Sequence, residues 1–458
     1  MNTYPSVHLP EDLKSNPLLS FGRGIAQYSQ IKPEHITPAI EFLLKHAQDA
    51  VDAASNSKTL ASWDKLVEPL EDATEALSRS WGVISHLNSV ADTPELRAAY
   101  GAMLPQVTAF FSSLGQNLAL YQKFKELSQS NDFEKLSKAQ RKVIENSLRD
   151  FRLGGAELSD AEKPRFATIQ DEQAILGKTF SDHVLDATDK FVHLISDEME
   201  LVGLPEDVKA AAADTAEQKN LKGWAFTLHF PSYYPIMQYS ENRALRSLMY
   251  EAYVTRASDL GQQYAQGDIA WDNTQNILDQ LRLRDEEAQM LGFKNYAALS
   301  LAAKMAGSVE EVDTFLINFA NKSKPFAQRD WDELNAFANS EIGLTDGMQP
   351  WDIAFVSERL KQARYSFSEN ELKQYFPLPK VLDGLFGVIQ TLFSVKIEEA
   401  ELPTWHSNVQ SFSVKDMTGE IVAYFYLDPY ARPGKRGGAW MDDARGRREL
   451  LNGEVQVP

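Results

Sequence analysis

Hydrolysis of a peptide or ester needs a nucleophile beside a base, or a metal with one open coordination position, so the spacing of histidine, cysteine, serine and carboxylates is weighed first. Eight histidines are present: His8, His35, His46, His86, His183, His193, His229 and His406. A helical metal pair takes two imidazoles four residues apart, with a carboxylate beside them. No two of these histidines have that spacing. Each alone reads as a surface or core-satisfied histidine rather than a ligand. The chain contains no cysteine, which excludes disulfides, thiolate nucleophiles and thiolate metal sites. It has no G-x-S-x-G elbow and no Gly-rich phosphate loop after a strand. Residue types and spacing therefore assign no catalytic and no metal-binding residue.

What remains is a candidate binding stretch late in the chain. Val422 to Leu427 is β-branched and aromatic, and Asp428-Pro429 breaks it, so it reads as a strand leaving through a plain turn. Gly437-Gly438-Ala439-Trp440 reads as a second extended piece. Glycine there removes the Cβ that would hold off another backbone, as an edge strand accepting a peptide would require. An ordinary bulged edge strand is the alternative. Nearby, Lys435, Arg436, Arg445, Arg447 and Arg448 could bind an anion, but in so acidic a chain ion pairs with Asp442, Asp443 and Glu449 are the favoured reading.

Against 46 Lys and Arg stand 65 Asp and Glu, a net charge of −19, and a nucleic-acid partner, which needs a basic face, is not expected. With 43% hydrophobic residues, the 458 positions can bury one large core or about three of roughly 150 residues each. The sequence does not open on a basic start with an apolar run, and no stretch reaches the eighteen or so apolar residues of a membrane helix. A cytoplasmic protein with no membrane partner is expected.

The elements that must position the late stretch are mostly helices. Helical starts are read at Thr37-Pro38 and Thr93-Pro94, where threonine caps and proline sits in a first turn that needs no donor. Trp63 to Val90 carries a helical apolar face with a break at Pro69, and further helices run through Leu104 to Leu127 and Ser137 to Phe151, stopped by Gly154-Gly155. A long helix follows from about Ala161 to Leu194. Trp224 to Phe230 reads as a strand closed by Pro231, with an aromatic loop to Pro235. Asn242 opens another helix, and others run over 273–291, 296–306, 308–337, 352–367 and 378–393. From Val395 to Leu427 the period shifts from 3.6 to 2, with a hairpin around Asp416 to Gly419. Trp224, Trp271 and Trp351 are read as core.

Several of these runs carry a resemblance. FYLDPYARPGKRGGAWMDDARGRR near the end, SHLNSVADTPELRAAY at 85–100, SLGQN at 113–117, LRDFRLGGAEL at 148–158 and TLHFPSYYPIMQYSENRALR after Phe226 resemble the oligopeptidase A branch of the thimet-type zinc endopeptidases, and the likeness covers essentially the whole chain. It implies a mainly α, multi-helical, elongated thimet oligopeptidase-like fold with a small late β-sheet and the C-terminal catalytic part missing. The implied organisation is an N-terminal helical domain over 1–154, a long-helix connecting region over 155–220, and over 221–458 the first portion of the catalytic domain, ending before the zinc-binding helix. The resemblance also implies that Gly437, Gly438, Ala439 and Trp440 line the substrate cleft and hydrogen-bond the peptide backbone. Zinc is implied for the full-length family, whose HExxH helix follows that strand; the sequence here ends at Pro458 without one, and no metal is expected in this chain. Ala444 stands where the resemblance would place a cysteine.

The function so implied is that of a cytoplasmic zinc metalloendopeptidase acting on short peptides, with this chain expected to be inactive alone. A non-catalytic peptide-binding module and a helical scaffold are the alternatives: the first predicts saturable peptide binding without turnover, the second neither. Apolar surface around Tyr424, Tyr426 or Trp440, left uncovered, would favour self-association.

Overall fold

The computed structural model describes residues 9–20, 24–265, 271–450 and 453–458, so His8 lies outside the described residues. The architecture is mainly α. Its first long helix, α1 (Ile36–Ser55), starts one residue before the Thr37-Pro38 signal, because a tight turn at Pro33–His35 already supplies the first coil, closed by the Lys32 amide donating to His35 Nδ1 at 3.1 Å. Its buried face is Ile36, Ala39, Ile40, Leu43, Ala47, Val51 and Ala54. Next comes a π turn at Trp63–Val67, then α2 (Glu68–Val90) with Pro69 in its first turn, as the proline break requires. In α3 (Pro94–Gly115), Thr93 Oγ1 accepts the Leu96 amide, the cap its sequence position implies.

The continuous pattern from Leu104 to Leu127 is two helices in the structure, α3 and α4 (Leu118–Ser128). Asn117 Oδ1 accepts the Leu120 amide at 2.9 Å, a cap strong enough to restart the chain on a new axis. Helix α5 (Lys138–Leu153) opens with a reciprocal Ser137–Gln140 capping box and ends at the glycine pair. The two glycines do different jobs. Gly155 has φ +88, whereas Gly154 is helical and is needed for proximity: a Cβ there would stand 2.9 Å from Gly115 Cα. Helices α1 to α5 close around one core that includes Ile40, Leu77, Ile84, Phe124 and Ile144.

Helix α6 (Lys163–Lys190) is 28 residues, about 42 Å at 1.5 Å per residue. It runs between α3 on one side and α10 (below) on the other. Short strands β1 (His193–Ile195) and β2 (Trp224–Phe226) pair antiparallel, with α7 (Glu206–Gln218) between them. The strand read through Phe230 stops at Phe226. Ser232 Oγ takes the Thr227 amide at 3.0 Å and the expected aromatic loop coils into α8 (Phe230–Tyr239), with Pro231 in its first turn and Tyr233, Ile236, Met237 and Tyr239 buried. That burial outweighs the hydrogen bond Pro235 cannot make. Helix α9 (Arg243–Thr255) is capped by Asn242 and joins the same second core. Beneath its start lies a buried Asp352, bound by Arg243 and Arg246 at 2.7 Å each.

Then follow α10 (Thr274–Met290), α11 (Tyr296–Leu301), α12 (Val309–Phe337), α13 (Ile353–Tyr365) and α14 (Leu378–Phe393). Neither α12 nor α14 has a buried residue. Trp224 and Trp351 are half-buried within or beside the second core, and Trp271 is half-buried. The late sheet is antiparallel, in the order β3 (Lys396–Glu399), β4 (Gln410–Lys415), β5 (Ile421–Leu427), and Gly419 at φ +94 makes the hairpin turn. Phe386 of α14 packs edge-on against Phe412 and Phe425 of the sheet. A further pair, β6 (Arg448–Glu449) and β7 (Val455–Gln456), lies near the end, and the Pro458 carbonyl accepts the Tyr424 amide at 3.0 Å along β5.

Candidate peptide-binding segment

The segment from Asp428 to Trp440 is organised by one carboxylate. Asp428 leaves β5 and accepts both Arg432 Nη atoms, at 2.7 and 2.8 Å, together with Trp405 Nε1 at 3.0 Å. Lys435 Nζ stands 3.1 Å from the same carboxylate and donates to the carbonyls of Asp428 and Tyr430 at 2.6 and 2.9 Å. Burial pushes the Asp428 carboxyl up, but the hydrogen bonds from Arg432, Trp405 and Lys435 outweigh it and hold the group down at about 2. The plain turn expected at Asp428-Pro429-Tyr430 is thus the hub of a folded loop. Arg432 and Lys435 fall four and seven residues after it, a spacing visible in the sequence.

That loop is pinned to the end of α2 by main-chain bonds. Arg432 Nη2 donates to the Val90 carbonyl at 2.8 Å, the Arg436 amide to the Ser89 carbonyl at 2.8 Å, and the Asp92 amide to the Gly434 carbonyl at 2.9 Å. The Gly434 amide donates to Asp189 Oδ2 at 2.9 Å. No local signal in the sequence points to Ser89, Val90, Asp92 or Asp189.

Gly437, Gly438, Ala439 and Trp440 follow, all exposed. They are not a strand of any sheet among the described residues, which corrects the expected strand: β5 passes its outer edge to the chain end at Pro458, and the docked loop carries Gly437 onward away from the sheet. None of their main-chain N–H or carbonyl groups is hydrogen-bonded among the described residues. A Cβ on Gly437 or Gly438 would meet nothing within 4 Å. Gly438 has φ +99, so its identity is explained by conformation; Gly437 has neither a left-handed φ nor a crowded Cβ.

Trp440 is anchored on one side by His86 of α2, ring centroids 6.1 Å apart. His86 also meets Trp405 at 4.2 Å and Tyr28 at 5.7 Å, with Nδ1 3.5 Å from Asp442. Burial lowers the His86 pKa, and Asp442 opposes it. Tyr424 is half-buried, and Tyr426 packs against the N-terminal core beside Tyr28 and Trp405, so the apolar surface expected there is largely covered; Trp440 keeps 39% exposure.

The basic cluster does form ion pairs, but with other partners than expected. Lys435 pairs with Asp428, and Arg448 reaches Asp72 of α2 at 2.7 Å. Arg445 donates to the Gly24 carbonyl at 3.3 Å. Because the loop folds around Asp428 and lies on the N-terminal bundle, Lys435 faces the loop's own hub while Arg445 and Arg448 face that bundle, rather than the acids next to them in sequence.

Residues 236–458 match the family model "Peptidase family M3", and residues 40–163 match the model "Neurolysin/Thimet oligopeptidase, N-terminal domain". The chain belongs to peptidase family M3, whose members are in general zinc-dependent. Over 445 residues, 97% of this chain and 64% of the relative, it is 43% identical to oligopeptidase A of Haemophilus influenzae. Oligopeptidase A of Escherichia coli is 40% identical with 65% of its length covered, and the organellar oligopeptidase A of Arabidopsis thaliana 40% identical with 56% covered. The chain spans a little under two thirds of the length of the first two of these relatives. A solved structure described as a putative oligoendopeptidase F from Bacillus anthracis aligns over 69% of this chain and 48% of its own at TM-score 0.44 and 16% identity, too loose a likeness to bear on the site.

Among the described residues no three His, Cys, Asp or Glu side chains come together in a way that could hold a metal ion. No described helix is long and apolar enough to cross a membrane.

Proposed function

We propose that this chain supplies the peptide-aligning wall of a family M3 zinc metalloendopeptidase that acts on short peptides in the cytoplasm. Gly437, Gly438, Ala439 and Trp440 receive the main chain of the peptide on their own unpaired N–H and carbonyl groups, without a sheet edge, and such main-chain bonds give affinity that depends little on side-chain identity. The observation that carries this is the open row of unpaired main-chain groups at 437–440, together with a Gly437 that no internal contact or backbone conformation requires. By itself the chain is expected to bind peptides without hydrolysing them, the motivation being that no two of its histidines have the spacing of a helical metal pair. A purely scaffolding role leaves Gly437 without a reason.

Titrating a fluorescein-labelled decapeptide of mixed sequence into the chain tests the reading. Saturable binding that Gly437→Val abolishes, with the melting temperature unchanged, supports it; equal binding by both proteins defeats it.

A second reading concerns self-association, and a specific observation favours it. On α14, Val381, Leu385, Val388 and Leu392 form a stripe at 4-3-4 spacing, 42 to 71% exposed, opposite the face that packs Phe386 onto the sheet. On α12, Phe315, Leu316, Phe319 and Phe326 are 53 to 66% exposed. A helix apolar on two faces is stable in water only when both are covered, and we infer that a second copy of the chain would cover them.

A further inference from the structure

Gly434 sits where three parts of the molecule meet. Its amide donates to Asp189 Oδ2 near the end of α6, and its carbonyl accepts the Asp92 amide just beyond α2, each at 2.9 Å. Asp189 Oδ1 in turn lies 3.0 Å from His229 Nε2, at the entrance to α8 and the second core. The ring closes through Arg97 of α3, which takes the Asp92 carboxylate and both oxygens of Asp186, one helical turn before Asp189, the latter at 2.8 Å each. No side chain fits at position 434: φ is +72, and a Cβ would stand 2.8 Å from the Asp92 carbonyl oxygen. The placement of Asp189 also needs a reason, because a carboxylate in the last turn of a helix faces the negative end of the helix dipole. Accepting the Gly434 amide gives it one.

We propose that Asp189 is a positioning residue: with Gly434 and Asp92 it forms the joint that fixes the height and direction of the Gly437–Trp440 segment against the N-terminal bundle. The segment starts three residues after Gly434, and its own main chain makes no hydrogen bond among the described residues, so what holds it comes from upstream, through the joint at Gly434 and the Arg436 amide on the Ser89 carbonyl, and from the Trp440–His86 contact downstream. Removing the carboxylate frees the Gly434 amide and loosens the upstream end, leaving the segment less pre-organised for a peptide. The consequence for affinity rests on the reading of 437–440 as a peptide site; the joint itself does not.

The experiment compares the wild-type chain with Asp189→Ala and Asp189→Asn, reading amide exchange along the chain and binding of the labelled decapeptide. Asp189→Ala should speed exchange of the bonded Gly434, Lys435 and Arg436 amides by about tenfold, as loss of one charge-assisted hydrogen bond predicts, with the interior of α2 unchanged, and should weaken the peptide by a similar factor. Asp189→Asn keeps an oxygen acceptor and should restore most of both. Unchanged local exchange in Asp189→Ala, or an Asn variant as loose as the Ala variant, overturns the joint. If the wild type binds no peptide, the peptide-site reading falls while the exchange data still decide the joint. If Asp189→Ala does not fold, the wild type decides: the Asp92 and Gly434 amides should open with one shared free energy, and separate values overturn the proposal.

Discussion

The Asp428 carboxylate and the Arg432 guanidinium face each other fork to fork, at 2.7 and 2.8 Å, with both side chains almost enclosed. A pair so placed ties the exit of β5 to the end of α2, since the same Arg432 also donates to Val90. Asp428→Asn keeps the shape but leaves Arg432 and Lys435 without their counter-charge, and should destabilise the chain by about 3 kcal/mol, the usual consequence of breaking a buried pair from one side. Urea unfolding at neutral pH measures it; a change well under 1 kcal/mol would mean that the loop is held by its main-chain bonds alone.

Acid should act through the same residue. The folded pKa of Asp428, about 2, lies below its ordinary value of 3.8, so the unfolded chain binds the proton first. The stability contributed is fully present above about pH 4 and is lost as the pH falls towards 2. Unfolding curves over that range should show a smaller slope with pH in Asp428→Asn than in the wild type.

His86 gives a second pH dependence in a different window. Its folded pKa is lowered by burial, so protons favour the unfolded chain and stability falls as the pH drops below the ordinary histidine value of 6.5. His86→Phe keeps a ring against Trp405 and Trp440 and removes that titration. Thermal unfolding at pH 5 and pH 8 should differ less for the variant, and an equal difference in both proteins would assign the effect to other histidines.

The two glycines of the segment should separate stability from recognition. Gly438→Val forces a β-branched residue to φ +99 and should destabilise by roughly 1–3 kcal/mol whatever the peptide does. Gly437→Val has open space and an ordinary φ, so its melting temperature should match the wild type while peptide binding is lost. Matched calorimetry and binding titrations on the pair check this; a destabilised Gly437→Val with normal affinity per folded molecule would reverse the assignment.

Association should follow from α14. Sedimentation at increasing concentration should show dimers in the wild type, and Leu385→Lys with Val388→Lys should return the chain to monomer, as charge on an apolar seam does. A wild type that stays monomeric at high concentration counts against this face as a self-contact.

Metal retention is the remaining expectation. After dialysis the chain should hold well under one zinc per molecule, because no two of its histidines have the spacing of a helical metal pair. One retained zinc with chelator-sensitive cleavage would contradict it.

The caps and periods of the sequence legislated most of the helices, because those signals are local. Thr93, Ser137, Asn242 and Ser308 each accept the amide three residues further on, in their own helix, and no distant partner is needed to predict that. Where the reading failed, a local signal was outvoted. Pro231 and Pro235 argue for a loop, yet α8 forms because Tyr233, Ile236 and Met237 find a core. Asn117 was a cap hidden within an uninterrupted apolar pattern.

By itself the sequence determined a mainly α chain with a late hairpin, the absence of thiol chemistry and of any helical histidine pair, and the short list of glycines able to admit a neighbour. Only the tertiary structure decided what those glycines are for. Gly154 is small because Gly115 presses against it, Gly434 because the Asp92 carbonyl does, and Gly437 is small with nothing among the described residues to require it. The physical reason is that a missing Cβ is written in one residue, while the atom it makes room for comes from somewhere else: residues 92 and 434 are neighbours only after α2, α6 and the loop beyond β5 have packed together.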